Sequence, residues 1–266
     1  MSWRKSAVIC SLGLLPFRLP AMADAPPPAL RELNSDRPDV TESPFTVDPG
    51  HEQIEADWTN FQDDRGDGGT RQWQVLPFNL RVGVTRDFEA GVFVEPWTWW
   101  TGVGRNGARE TRTGFGDVTL RGKLNFFGDD GGGPALGLIV DLKVPTAAPG
   151  LGDGKVEGDV ALPVALEAGE WEIDAMVEGD VVWNEARAGY RPALLSTLSI
   201  GHKISGPVSG YAELTSLAGE GPHAMTGDLG LMWLVDENTQ LDAGANLGLT
   251  PAAPTLEVFS GITRRF

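Results

Sequence analysis

From Trp171 to Asn184 the chain alternates. Trp171, Ile173, Ala175, Val177, Gly179, Val181 and Trp183 fall on one side of a two-residue repeat, and Glu172, Asp174, Met176, Glu178, Asp180 and Asn184 on the other. A helix would mix the two sets around its circumference, whereas a strand puts them on opposite faces. The split recurs at Asp117 to Phe126, Leu136 to Val144, Val156 to Leu166 and Gln240 to Leu247. About twelve such segments are expected, near 51–61, 71–84, 88–98, 115–127, 135–145, 155–166, 171–184, 191–204, 207–217, 224–235, 239–249 and 255–266. At about 10–14 residues they exceed the usual sandwich strand and suffice for the 9–11 tilted residues that cross a bilayer.

Alternation alone does not say which face is the core. In a soluble sandwich the apolar face points inward. In an outer-membrane barrel it meets lipid and the charges line the lumen. The connections favour the barrel. Tight turns are expected at 85–87, 167–170, 205–206 and 236–238, alternating with longer loops at 62–70, 99–114 and 146–154, the asymmetry of bacterial barrels. The glycine-rich turn at 128–133 departs from it. Aromatic residues form two groups, as membrane interfaces demand. Trp58, Trp97, Trp99, Trp100, Phe115 and Trp183 lie towards the longer loops, and Phe88, Phe126, Phe127, Trp171 and Trp233 towards the turns. The chain ends on an alternating strand closed by Phe266, the form of signal that the barrel-assembly machinery reads. The fold class expected is therefore all-β, a closed antiparallel transmembrane β-barrel over 51–266 preceded by an irregular segment.

The N-terminus sets the compartment. Arg4 and Lys5 precede an apolar stretch from Ala7 to Leu19 and the small-residue pattern Ala21-Met22-Ala23. This reads as a secretory signal peptide over 1–23, cleaved before Asp24, and not as a membrane anchor, because the stretch is short and broken by Pro16 and Arg18. Cys10, the one cysteine, would leave with it, so the mature chain has no disulfide, thiol nucleophile or cysteine metal site. Export of this kind places the barrel in the outer membrane of a Gram-negative bacterium.

With 35 glycines, 19 prolines and 9 tryptophans, the chain has a net charge of −16. Nucleic acid is excluded as a partner, since a phosphate-binding surface needs clustered Lys and Arg. No metal, nucleotide or redox cofactor is indicated. Gly102, Gly104 and Gly107 have dinucleotide-loop spacing but no helix follows to aim at phosphate. Asp63, Asp64 and Asp67 begin like an EF-hand loop, but Gln74 stands where the bidentate glutamate belongs.

Several segments go beyond a generic barrel. Ser35 to His51 reads SDRPDVTESPFTVDPGH, followed by GFGDVTLRGK (Gly114 to Lys123), LKVPTA (Leu142 to Ala147), QLDAGANLGLT (Gln240 to Thr250) and VFSGITRRF (Val258 to Phe266). Together they resemble the bacterial outer-membrane transporter family named after the meta-cleavage pathway of phenol degradation, across residues 35 to 266. The resemblance implies a channel for small compounds, aromatic or hydrophobic ones among them.

If the apolar faces meet lipid, the lumen carries a charge pattern. Arg121, Lys123, Lys143 and Lys155 come from three consecutive strands as a basic patch, and Glu172, Asp174, Glu178 and Asp180 on the next strand form an acidic ladder. Opposed patches either filter a pore electrostatically or pair with one another and fill the interior. Residues 24–50 are proline-rich and too irregular to span a membrane. Asp36, Arg37, Asp39, Thr41 and Glu42 are expected to fold into the periplasmic mouth and engage lumen charges, the alternative being a loose leader. The function expected is passive passage of a small-molecule solute, with outer-membrane lipid and the assembly machinery as partners. The alternatives are a structural barrel or adhesin and, further off, a lipid-acting barrel enzyme. The last needs a Ser/His pair at the lipid-facing rim. His51, His202 and His223 are the only histidines, and Ser196 near His202 shows no triad spacing.

Overall fold

The computed structural model describes residues 30–66, 69–103, 107–219 and 221–266. The signal peptide expected over 1–23, the adjoining 24–29, Gly104 and Asp67 lie outside them. Alternating residues build fifteen strand segments: β1 (Glu52–Asp64), β2 (Thr70–Val75), β3 (Phe78–Thr85), β4 (Phe88–Val94), β5 (Trp97–Val103), β6 (Arg109–Gly114), β7 (Val118–Phe127), β8 (Ala135–Val144), β9 (Glu157–Ala168), β10 (Trp171–Asn184), β11 (Gly189–Ser205), β12 (Val208–Ala218), β13 (Ala224–Asp236), β14 (Thr239–Gly248) and β15 (Leu256–Arg265). Three pairs of these, β2 with β3, β4 with β5 and β6 with β7, are interrupted halves of single strands, so twelve antiparallel strands form the wall. The wall closes where β1 pairs with β15, from Gln53 opposite Arg265 to Asp63 opposite Leu256. Closure matters because an open edge in hydrocarbon would leave a row of N–H and C=O groups without partners.

The interruptions fall side by side. β1 carries a bulge between Asp57 and Thr59. Leu76, at φ 55°, and Pro77 separate β2 from β3. Pro96 separates β4 from β5, and residues 115–117 separate β6 from β7. Asp57 N–H donates to Pro77 O at 3.0 Å and Gly116 N–H to Glu95 O at 2.9 Å across this seam. Proline cannot donate to the ladder, so the breaks at Pro77 and Pro96 cost little pairing. Each also slips the alternation by one residue, and below the seam odd positions such as Asn79, Arg81 and Glu89 face inward while above it Gln72, Gln74 and Thr98 do.

That slip corrects two expectations. Trp100 does not join the outer belt. It faces inward at the far end, packs where Gly102 leaves room for its ring, and lies under the Arg112 guanidinium at 5.0 Å. Residues 99–114 are not one long loop either. β5 and β6 fill most of that stretch, because Thr and Trp at alternate positions continue the ladder past the proline.

The faces are unambiguous. Val140, Leu142, Val160, Leu162, Val164, Leu166, Val177, Val181, Leu194 and Leu198 are 41–52% exposed, whereas their neighbours Asp141, Thr197 and Ser199 are at most 8% exposed. The wall is apolar outside and polar inside, the inverse of a soluble protein. Leu162→Arg, near the middle of β9, is expected to lower the unfolding free energy in phospholipid vesicles by about 2–4 kcal/mol, measured by urea titration. Asp180→Asn on the inner face should carry no such penalty.

Candidate functional site

Residues 31–50 run inside the barrel rather than beside it. They enter at the end that holds the short turns and both ends of the wall, rise to the level of Arg121 and Glu213, and return to Asp48. The wall makes room for this strap by omitting side chains. A Cβ at Gly83 would collide with the carbonyls of Val47 and Asp48, and one at Gly261 with the Arg37 guanidinium.

Polar contacts hold the strap to nearly every side of the wall. Arg81 and Lys123, each 0% exposed, converge on Asp36. Arg81 also pairs with Glu55 at 2.6 Å and Glu89 at 2.7 Å, and donates to Phe45 O at 3.0 Å. Arg121 binds Asp141 and Glu42, both at 2.7 Å, and reaches Asp36 at 3.5 Å. On β1 and β14 Arg37 pairs with Asp57 and Asp242, each at 2.6 Å. Thr41 donates to Glu213 through N–H and hydroxyl, at 2.7 and 2.6 Å, and Val40 N–H adds a third bond at 2.9 Å. Such charges are tolerable away from water only because each is matched and hydrogen-bonded. Burial alone would raise the Asp36 carboxyl, but Arg81, Lys123 and Arg121 hold it well below the usual carboxylate range.

Asp39 faces a different wall, whereas Glu42 stays beside Arg121. Burial pushes Asp39 well above the usual range, with Glu213 and Asp174 adding to it and a hydrogen bond to Ser199 opposing it. Burial pushes Glu42 up to about 8, Arg121 acting against the rise and Asp36 with it. Of the residues read from the sequence, the structure thus brings Asp36, Glu42, Arg121 and Lys123 into one cluster, and places Arg37, Asp39 and Thr41 against other strands.

Lys143 sits apart, pairing with Glu157 at 2.5 Å and with Asp117 and Asp153 at 3.6 and 3.5 Å. Lys155 precedes β9 rather than lying on it and rests over the Trp183 ring at 4.5 Å. The four bases are therefore not one patch, because the pairings of β7 and β8 stop below the loop that carries Lys155. Asp174, Glu178 and Asp180 do line the inner face of β10, and Glu172 lies at its exposed turn-side end. Carboxylate oxygens of Glu178, Asp180 and Asp159 come within 4.8 Å of one another. Phe266 N–H donates to Glu52 O at 2.8 Å, which ties the last residue to the first strand.

Sequence reasoning missed Arg81, a fully enclosed cation. Its signal was there, a single base opposite Leu80, Val82 and Val84 in an alternating strand. It also missed Ser216, whose Oγ lies 2.8 Å from His223 Nε2. At the turn-side mouth a cavity of about 780 Å³ opens between the strap and the wall, with Leu33, Phe45, Glu167, Trp171, Glu172 and Met232 among its lining.

A closed twelve-stranded wall, apolar outside and charged inside, with its own N-terminal segment lodged in the interior, defines a transmembrane β-barrel of the bacterial outer-membrane type. The chain belongs to the family described as "Putative MetA-pathway of phenol degradation", whose model matches residues 35–266. Among solved structures it resembles a COG4313 outer membrane channel from Pseudomonas putida F1, at 14% identity and TM-score 0.64, covering 88% of this chain and 100% of that one. It also resembles the β domain of the Bordetella autotransporter Brka (14%, TM-score 0.51, 82% and 100% covered) and the KdgM porin in complex with oligogalacturonate (10%, TM-score 0.50, 80% and 99% covered). At these identities the likeness is one of fold. No curated protein matches the chain.

Two outcomes follow from the strap's charges. Asp36→Asn leaves Arg81 and Lys123 short of an anion, and removing one partner of a buried pair costs roughly 3–5 kcal/mol. Limited proteolysis should then cut within 31–50 while the wall keeps its heat-modifiable migration. The second outcome is a pH dependence. Between about 4.5 and about 8 the docked Glu42 retains a proton that a free carboxyl has lost, so docking weakens as pH rises through that window and levels off above it. Asp36 contributes in the opposite sense, its share being lost only in strong acid. A Val40→Cys thiol, corrected for its thiolate fraction, should label faster at about pH 8.5 than at about pH 6.

Proposed function

We propose that this protein is an outer-membrane channel for the passive passage of small molecules, with the strap of residues 31–50 narrowing the path. The supporting observation is the interior itself, a charged lumen partly filled by the chain's own segment beside a cavity of about 780 Å³. A merely structural barrel needs neither. The turn side faces the periplasm, residues 1–23 are removed on export, and Phe266 is read by the assembly machinery. The family description supports small aromatic or hydrophobic solutes. Arg121, Lys123, Lys143 and the carboxylates Glu172, Asp174, Glu178 and Asp180 set the field such a solute meets.

The lipid-acting enzyme is the reading that Ser216 and His223 would favour. Both ladders of β12 run through Ser216, so the backbone N–H groups on either side of it are committed to β11 and β13. Beside Ser216 no pair of free donors is left among the described residues to hold an oxyanion, the larger part of acyl-transfer catalysis. No carboxylate orients His223 among the described residues. We therefore read the protein as a channel and not an enzyme. Single-channel recording tests this. Deletion of residues 31–45 should enlarge the conductance step severalfold, and an unchanged step would sink the narrowing role.

A further inference from the structure

The two sides of the lumen differ in kind. β3, β7, β8 and β15 carry interior bases, and Arg81, Arg121, Lys123, Lys143 and Arg265 are each matched by carboxylates of the wall or strap. β9, β10, β12 and β13 contain no lysine or arginine, and β11 has only Arg191 and Lys203, near its two ends. Between those ends the inner face offers Glu167, Glu172, Asp174, Glu178, Asp180 and Asp159, a file of carboxylates from one mouth towards the other. Asp174 lies within electrostatic reach of Glu172, Glu167 and Glu213, and Glu178 of Asp159, Asp180 and the strap's Glu42. None of Glu172, Asp174, Glu178 and Asp180 has an ion pair among the described residues.

A second observation points the same way. Asp228, beside Glu213 on the adjoining wall, is 3% exposed, and its Oδ1 is buried without a hydrogen-bond partner. The Thr226 hydroxyl of the same strand donates to Oδ2 at 2.9 Å, so Oδ1 alone is left without a donor, and an enclosed carboxylate oxygen in that state is costly. The cavity at the turn-side mouth joins Glu167, Glu170 and Glu172 to Leu33, Phe45, Trp171 and Met232, with Arg31 and Lys203 also in its lining, so carboxylate and apolar surface share one space.

We propose that the solute is an organic cation, an ammonium group on an aromatic or aliphatic body, drawn along the carboxylate file of β9 and β10 past the strap. This rests on the channel reading and narrows it. The ammonium donates to successive carboxylates, while the body slides over apolar wall and aromatic faces. Phenolates and aromatic acids meet like charge along the whole file and are turned away.

Full-length protein in planar bilayers tests this with three probes, potassium chloride, phenethylammonium chloride and sodium phenylacetate. Reversal potentials should show phenethylammonium favoured over chloride about tenfold or more, with phenylacetate carrying no measurable share. Asp174→Asn, Glu178→Gln and Asp180→Asn together should cut that preference at least about fivefold while potassium chloride steps persist. Glu178→Gln alone should shift it in the same direction, should the triple variant fail to fold. Equal permeation of the two organic ions, or a preference unchanged by the substitutions, overturns the proposal and leaves the channel reading standing. Folded protein without potassium chloride steps overturns both.

Discussion

The rest of the structure depends on a demand made by hydrocarbon, that no backbone N–H or C=O may face it unpaired. A chain with this much alternation has one way to comply, which is to bring its last strand back to its first. The β1–β15 pairing does so over most of β1, and its consequences run inward. Closure turns most polar side chains of the alternating segments into lumen residues. The acidic surplus of the composition is thereby concentrated inside, where it must be matched, hydrated or protonated.

The strap is the answer on one side of that interior. Asp36 alone touches Lys123, Arg81 and Arg121, three cations from two wall strands that would otherwise crowd one another. It acts as a shared counter-ion, so the wall bases and the strap hold each other in place. On the other side the chemistry changes. Glu213 accepts three bonds from Val40 and Thr41, a purely hydrogen-bonded hold that needs no cation. One edge of the strap is thus fixed by strong, charge-matched contacts, and the other rests against carboxylates. Any widening of the lumen is easier on the second edge.

Much of this was legible in the sequence. Period-two alternation, tight turns against longer connections and a terminal phenylalanine suffice for a closed barrel, since each reports on the one constraint of closure. Strap residues such as Asp36, Arg37, Thr41 and Glu42 stood out because charges among prolines, ahead of a ladder of strands, need somewhere to go. The seam of bulges was not legible. Pro77 and Pro96 advertise breaks, but a break shifts the phase of every residue beyond it, and Trp97, Trp99 and Trp100 cannot be sorted into faces until the slip is known. Pairing was hidden for a related reason. Alternation says that Arg121 and Lys123 point inward, but not that they meet Asp36 while Lys143 meets Glu157. That depends on strand register and on the path of an irregular segment.

Charge segregation around the barrel follows from strand order. Neighbouring strands in an up-and-down barrel are neighbours in sequence, so a run of chain without bases, here 156–190 apart from Arg187, becomes a continuous sector of wall. A sector of that kind cannot be neutralised by cross-strand pairs, which reach only to the next strand. It must be neutralised from the interior. The strap supplies its own bases elsewhere, Arg31 to Asp48 and Asp129, Arg37 to Asp57 and Asp242. Towards this sector it presents Asp39 and Glu42, and neither brings a base to it. A fold that needed only a filled core would have placed a base there. Leaving carboxylates on both sides of the gap is costly unless protons or a passing cation complete the balance, and only the passing cation gives that arrangement a function.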